Sequence, residues 1–373
     1  MAKAVYVGVG SKAHKMKKAY IGIGGKARKV KKMYIGVGGK ARLCYSAELE
    51  KVGMATALST TRYDMRAATV GKYALFAGGY ISKSSFGYSV SSSVDAYNTS
   101  LTKSTPTELS YKRCGHAAAS VGGYALFAGG ASSHNFLGYG TPVSSVDAYD
   151  ASLTRSAAHI IGATVAIGGA AVGNYALFAG GTVYSQINKD NVTSDVLAYD
   201  PSLTFTTAPL LSVARANVKG ASAVNYALFA GGRAGSFCTT VDAYNASLTR
   251  TTATALSSEE NRSAAATVGN HAIFVGSTAS ADIYDASLTK TSAAILSTAR
   301  NRLAATTVGD YAIFSGGGVA DFCDASLTRS SIGTSMTGYD MGAATIGDYA
   351  LFAGGHSGEK SDTAYDSVEV YTA

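Results

Sequence analysis

An all-β fold, a seven-bladed β-propeller, is what the sequence predicts, and three features predict it. The stretch Tyr-Ala-Leu-Phe-Ala-Gly-Gly at 73–79 returns, with variation, at Tyr124, Tyr175, Tyr226, His271, Tyr311 and Tyr349. A second motif follows each copy, in its cleanest form Val-Asp-Ala-Tyr-Asp-Ala-Ser-Leu-Thr-Arg at 146–155. Its aromatic position falls at Tyr97, Tyr149, Tyr199, Tyr244, Tyr284, Cys323 and Tyr371. The interval from that position to the next first motif, as from Tyr97 to Tyr124 or from Tyr149 to Tyr175, is nearly constant throughout. Seven copies of one supersecondary unit read as one large domain, 46–373, with a short segment, 1–45, in front of it.

The short segment has its own, much shorter period, anchored on Tyr6, Tyr20 and Tyr34. Ile21 and Ile23 alternate with Tyr20, Gly22 and Gly24, which is the pattern of a short strand, and Gly24-Gly25 then reads as a turn into a second strand. Each copy is expected to be a β-hairpin, and the three together a small meander. Gly-x-Gly followed by Lys is not a phosphate-binding loop here. The period is too short to hold a βαβ unit, and Ala13, Ala27 and Ala41 stand where a Walker loop needs Ser or Thr. The segment holds ten Lys and two Arg with no acid, so it is +12; since the chain as a whole is +8, the large domain is −4. No element for reading bases accompanies these lysines, so nucleic acid is not the expected partner. A basic attachment module is expected, with Tyr6, Tyr20, Tyr34, Lys26, Arg28, Lys40 and Arg42 as its repeated residues. So little Gly-rich chain makes a poor core, so it is expected to pack on a partner or on copies of itself.

Each unit of the large domain divides into four strand candidates. In the first these are a, 66–70; b, 73–77; c, 94–97; and d, 101–109. Asn98, or Asp150 in the second unit, followed by x-Ser supplies a tight c–d turn. Alanine-rich a strands such as Ala264-Ala265-Ala266 fit the place where blades converge on an axis. The last copy ends at Tyr371 without a d strand. Leu58 precedes Tyr73 by the same interval as Leu109, Leu211, Leu256 and Leu296 precede Tyr124, Tyr226, His271 and Tyr311. The segment 49–58 is therefore expected to be the outer strand of the seventh blade and to close the ring.

Composition narrows the setting. No apolar run is long enough to span a bilayer, and the segment 1–18 carries five lysines and no apolar signal region, so neither membrane insertion nor a signal peptide is expected. Cys44, Cys114, Cys238 and Cys323 lack metal-ligand or paired spacing and read as free thiols of a protein made in a cytoplasm.

Length varies in one place, between the b and c anchors. The interval is long from Tyr73 to Tyr97, Tyr124 to Tyr149, Tyr175 to Tyr199 and Tyr349 to Tyr371, intermediate from Tyr226 to Tyr244, and short from His271 to Tyr284 and Tyr311 to Cys323. The long b–c loops belong to blades seven, one, two and three, consecutive around a ring, and should emerge on one face. They carry Tyr80, Phe86 and Tyr88; His134, Asn135, Phe136 and Tyr139; Tyr184, Gln186 and Asn188; and His356. Aromatic rings among Asn, Gln and Ser suit sugar or protein recognition; the same residues also serve for packing between loops or subunits. The d–a connections, which in such a ring are expected to open on that face near the axis, hold Arg62, Arg113, Arg215 and Arg300, each three residues after a Ser. Such arginines either grip an anion at the axial mouth or, the commoner arrangement, hydrogen-bond loop carbonyls between blades.

Catalytic machinery is not apparent. His14, His116, His134, His159, His271 and His356 have no metal-ligand spacing, and Asp95, Asp147, Asp242, Asp282 and Asp321 recur as repeat positions. No enzyme activity and no cofactor are expected.

Two resemblances extend this reading. The Gly-Gly ending strand b, the aromatic position in strand c and the unit length resemble kelch repeats across nearly all of 46–373. The chain departs from them in having no Trp and in Gly276-Ser277 replacing Gly-Gly. The tandem Tyr-Ile-Gly-Val-Gly-Gly-Lys-Ala-Arg units of 3–45 resemble those in structural proteins of phages and prophages of Gram-positive bacteria. That resemblance implies a virion component in several copies, made in the host cytoplasm, joined to other virion proteins through 1–45 and presenting its propeller to a host-surface glycan or wall polymer. A purely structural decoration or docking protein is the alternative, and a glycan-active enzyme a third.

Overall fold

Within each repeat the four strands pair antiparallel in the order a-b-c-d, and each a strand neighbours the a strands of the flanking repeats. The computed structural model describes the chain except 1–5, 10–11, 16–18, 24–25, 31, 38–39, 47, 85–86, 134–139, 159–161, 163, 166, 184–190, 260–263 and 359–362. Blade one is built from Arg66–Val70, Tyr73–Ala77, Val94–Asn98 and Lys103–Ser104. Six further four-stranded sheets complete the ring. Strand d of blade one is much shorter than 101–109, because Pro106 has no N–H to give a ladder and Leu101 is taken into the turn.

Strand b is apolar without alternation because both of its faces are covered. Ala74 and Phe76 join the core between blades seven and one, while Leu75 and Ala77 join the core between blades one and two. Seven such cores fill the seven junctions. Within a blade the strand-b Phe meets the strand-c Tyr edge-to-face, as Phe76 and Tyr97 do at 5.9 Å and 83°, a pairing worth about 0.5–1.5 kcal/mol beyond its area. In blade six, where Cys323 replaces that Tyr, Phe322 pairs with Tyr311 instead.

The c–d turns are Asx turns. The Asn98 side-chain oxygen accepts from the Ser100 and Thr102 N–H groups at 2.9 and 3.0 Å. The following leucine sits in the left-handed region in six blades, for example Leu101 at φ 60°. That conformation costs about 1–2 kcal/mol for an L residue, and seating the leucine against an inter-blade core offsets it.

The ring closes between the chain's two ends. Glu50–Ala55 pairs antiparallel with Val368–Thr372, Val368 opposite Ala55 and Thr372 opposite Glu50, with one bulge between Val370 and Tyr371. Ahead of it stand three hairpins: Tyr6–Val9 with Lys12–Lys15, Tyr20–Ile23 with Lys26–Lys29, and Lys32–Val37 with Lys40–Ser46. Among the described residues they pair as three separate two-stranded sheets and not as the expected meander. Lysine-rich edges resist pairing with their neighbours. In the backbone register Tyr6 faces Lys15, Tyr20 faces Lys29, Lys26 faces Ile23, Arg28 faces Ile21, Tyr34 faces Leu43, Lys40 faces Val37 and Arg42 faces Ile35.

Candidate functional site: the loop face

The d–a connections cross the ends of the b strands, and Gly-Gly makes that crossing possible. Gly78 and Gly79 have φ of 65° and 96°, and a Cβ on Gly79 would collide with the Tyr63 carbonyl oxygen. Laid down this way, four of the seven connections deliver a Ser and an Arg to the acid of the following blade's strand c. Ser110 donates its N–H and hydroxyl to Asp147 at 3.1 and 3.0 Å, and Arg113 donates to the same oxygen at 2.7 Å. Arg155 of strand d takes the other carboxylate oxygen at 2.8 Å. Arg62 with Asp95, Arg215 with Asp242 and Arg300 with Asp321 repeat the arrangement. The remaining guanidinium N–H groups go largely to carbonyls, such as Gly129 and Ser145 for Arg113.

These four arginines therefore form no axial mouth. Arg62, Arg113 and Arg215 have no exposure at all, and Arg300 is 9% exposed. An anion from solvent would have to displace a buried carboxylate, so of the two arrangements these arginines take the commoner, structural one, fastening blade to blade, and not anion capture. Blade three lacks it entirely: Leu197 stands at the acid position, Phe205 at the strand-d cation, and Thr164 and Ile167 line the space beside them.

What the face does bring together is a row of rings on blades seven and one. Tyr63 stacks on Tyr80 with centroids 5.2 Å apart. Tyr63 also lies 4.7 Å from His356, which is 6.4 Å from Tyr339. Tyr80 continues the row to Tyr88 at 5.3 Å. The backbone holds the order: Tyr63 and Tyr80, and Tyr339 and His356, are antiparallel bridge partners. His356 is fixed at both nitrogens, accepting from the Gly358 N–H at 3.3 Å through Nδ1 and donating through Nε2 to Asp340 at 3.0 Å. Burial drives the Tyr80 hydroxyl far above its ordinary pKa and pushes the Cys114 thiol up to about 12. Neither is ionised near neutral pH, so Tyr80 acts here by stacking.

Of the loop residues expected from the sequence, Tyr80, Tyr88 and His356 meet in this row. Phe86, His134, Asn135, Phe136, Tyr139, Tyr184, Gln186 and Asn188 lie outside the described residues. Tyr63 and Tyr339 were not anticipated, yet the sequence marks them. Only their two connections read Tyr-Asp-Met, at 63–65 and 339–341, where blade two has Cys114-Gly115-His116. The blade-one loop also folds into its own hairpin, Tyr80–Ser84 with Gly87–Val90, which carries Tyr88 back beside Tyr80.

On the axis runs a channel of about 370 Å³ lined by Gly, Ala, Ser and Thr of all seven a strands. Around it hydroxyls donate in one direction to the blade before: Ser120 to Thr69 O, Thr69 to Thr345 O, Thr345 to Thr307 O, Thr307 to Thr267 O, Thr267 to Ser222 O and Ser222 to Ala171 O. Ala171, at the equivalent place in blade three, interrupts the belt. Among the described residues no three His, Cys, Asp or Glu side chains converge as metal ligands do.

Fold and face together define an all-β, seven-bladed propeller of kelch-like repeats. Neither a protein-family model nor a curated protein matches the chain. Among solved structures, that of YjhT is similar, with a TM-score of 0.53 at 12% identity, covering 86% of this chain and 99% of that one. At that identity the likeness speaks for the fold alone.

Proposed function

We propose that this is a binding protein whose propeller presents the loops of blades seven, one, two and three to a surface polysaccharide, with the basic hairpins serving as attachment to a larger particle, a phage-type virion. The observation that carries the reading is the ring row, in which buried Tyr63 and His356 back the half-buried Tyr339, Tyr80 and Tyr88. Stiff aromatic faces with polar tips suit the apolar faces and hydroxyls of sugars. Un-ionised Tyr80 and Cys114 favour recognition over turnover. Several copies on one particle raise avidity without further contacts, so each site need bind only weakly. A purely structural decoration, using the same face to dock another particle protein, is the second reading, favoured by the number of these rings already packed on one another.

The test is pull-down of the full chain with intact Gram-positive cell walls, beside Tyr88→Ala and a variant whose blade-one to blade-three loops are cut to the blade-six length. Retention of the parent and loss of the variants supports wall recognition through these loops. Should no protein bind any wall while the full chain still joins particles, the polysaccharide reading falls and docking replaces it.

A further inference from the structure

Seven a strands begin at the loop-side end of the axial channel, and their first residues are Arg66, Ala117, Gly168, Lys219, Ala264, Ala304 and Gly342. Five are Gly or Ala, as convergence on an axis demands. The two cations stand on blades one and four, across the ring from each other. They are not equivalent. Arg66 is bonded to Asp64 at 2.7 Å, whereas half-buried Lys219 has no hydrogen-bond or ion-pair partner among the described residues.

We propose that the loop-side mouth of this channel is an oxyanion site, with Lys219 as the cation that receives one carboxylate or phosphate group. An ammonium withdrawn from water with no carboxylate in contact is unfavourable, and nothing in the repeat requires it, since alanine fills the position in blades two, five and six. Burial, and then the charge of Arg66, hold this ammonium below the ordinary lysine range, while Asp64 and Asp340 oppose them. An arriving anion relieves that penalty. The channel, whose blade-four wall begins one residue on at Gly220 and which is lined by Gly, Ala, Ser and Thr without any acid, has room for such a group, and its low-dielectric walls focus the field along the axis. The acids at the lip are already engaged: Asp64 by Arg66, and Asp340 by His356 with Arg302 at 3.9 Å. They lie on blades one and seven and leave blade four as the side an anion can approach. The site does not depend on the ring row.

The experiment titrates the full chain with inorganic phosphate, and separately with acetate, against chloride at equal ionic strength to remove simple screening. Heats of binding and melting temperature are both read for the parent, Lys219→Ala and Lys219→Arg. We expect saturable binding to the parent, weakened about tenfold or more in Lys219→Ala, a loss of at least about 1.4 kcal/mol, and partly kept in Lys219→Arg. Anion added to the parent should raise its melting temperature, and the rise should vanish in Lys219→Ala. Binding of both probes points to any oxyanion; binding of phosphate alone points to a phosphoryl ligand. Unchanged affinity in a folded Lys219→Ala, or no saturable binding of either probe to the parent, overturns the proposal.

Discussion

The Arg113 guanidinium and the Asp147 carboxylate meet at 2.7 Å, and neither side chain has any exposure. One belongs to the connection leaving blade one and the other to strand c of blade two, so the pair fastens adjacent blades. Arg113→Ala should leave a buried carboxylate short of its main partner and destabilise the chain by about 3–5 kcal/mol, read as a lower denaturant midpoint. The double variant Arg113→Met with Asp147→Leu should recover most of that loss, since blade three is built with Leu197 and no arginine. A double variant no more stable than the single one would mean that the pair contributes by attraction rather than by mutual neutralisation.

Ala171 is where the hydroxyl belt stops. Ala171→Ser should donate to the Ser120 carbonyl and complete the circle, adding about 1 kcal/mol of stability. Thermal unfolding would show this as a modest rise in midpoint, whereas Ser120→Ala should lower it.

His116 occupies a place that is Met65, Ile167, Val218, Leu303 or Met341 in five of the other six blades and Ser263 in blade five. It is fully buried, and among the described residues neither ring nitrogen has a well-formed hydrogen bond. Burial first, then Arg66 and Arg113, hold its pKa well below the ordinary histidine value. The unfolded chain takes up that proton near pH 6.5 while the folded chain refuses it. Stability present above that pH is therefore lost as pH falls toward the depressed folded value. Comparing urea midpoints at neutral and mildly acidic pH should show a smaller acid loss in His116→Met than in the parent.

Removing residues 46–59 takes away the strand that Val368–Thr372 pairs with and leaves an open edge in blade seven. Light scattering should find association or aggregation of the shortened chain, together with a lower melting temperature. A monomer with unchanged melting would place the closure elsewhere.

Blade number, strand identity and the position of the variable loops were legible in the sequence because a repeat reports its own register seven times over. Ring closure was legible for the same reason, as a leucine, Leu58, at the repeat's fixed interval before Tyr73. The Tyr80, Tyr88 and His356 part of the ring row could be picked out as loop residues. Their assembly could not, because Tyr63 and Tyr339 sit in connections whose neighbours are set by how one blade lies on the next.

The arginines show the limit most clearly. Their recurrence after serine was visible, but whether they faced solvent or carboxylates depended on contacts between distant parts of the chain, as from Arg113 to Asp147. Hydrophobic periodicity and turn chemistry act within a repeat, so the sequence by itself determined the blades. Burial, charge pairing and the solitary state of Lys219 arise between repeats, where only the packing of blade on blade decides which groups meet.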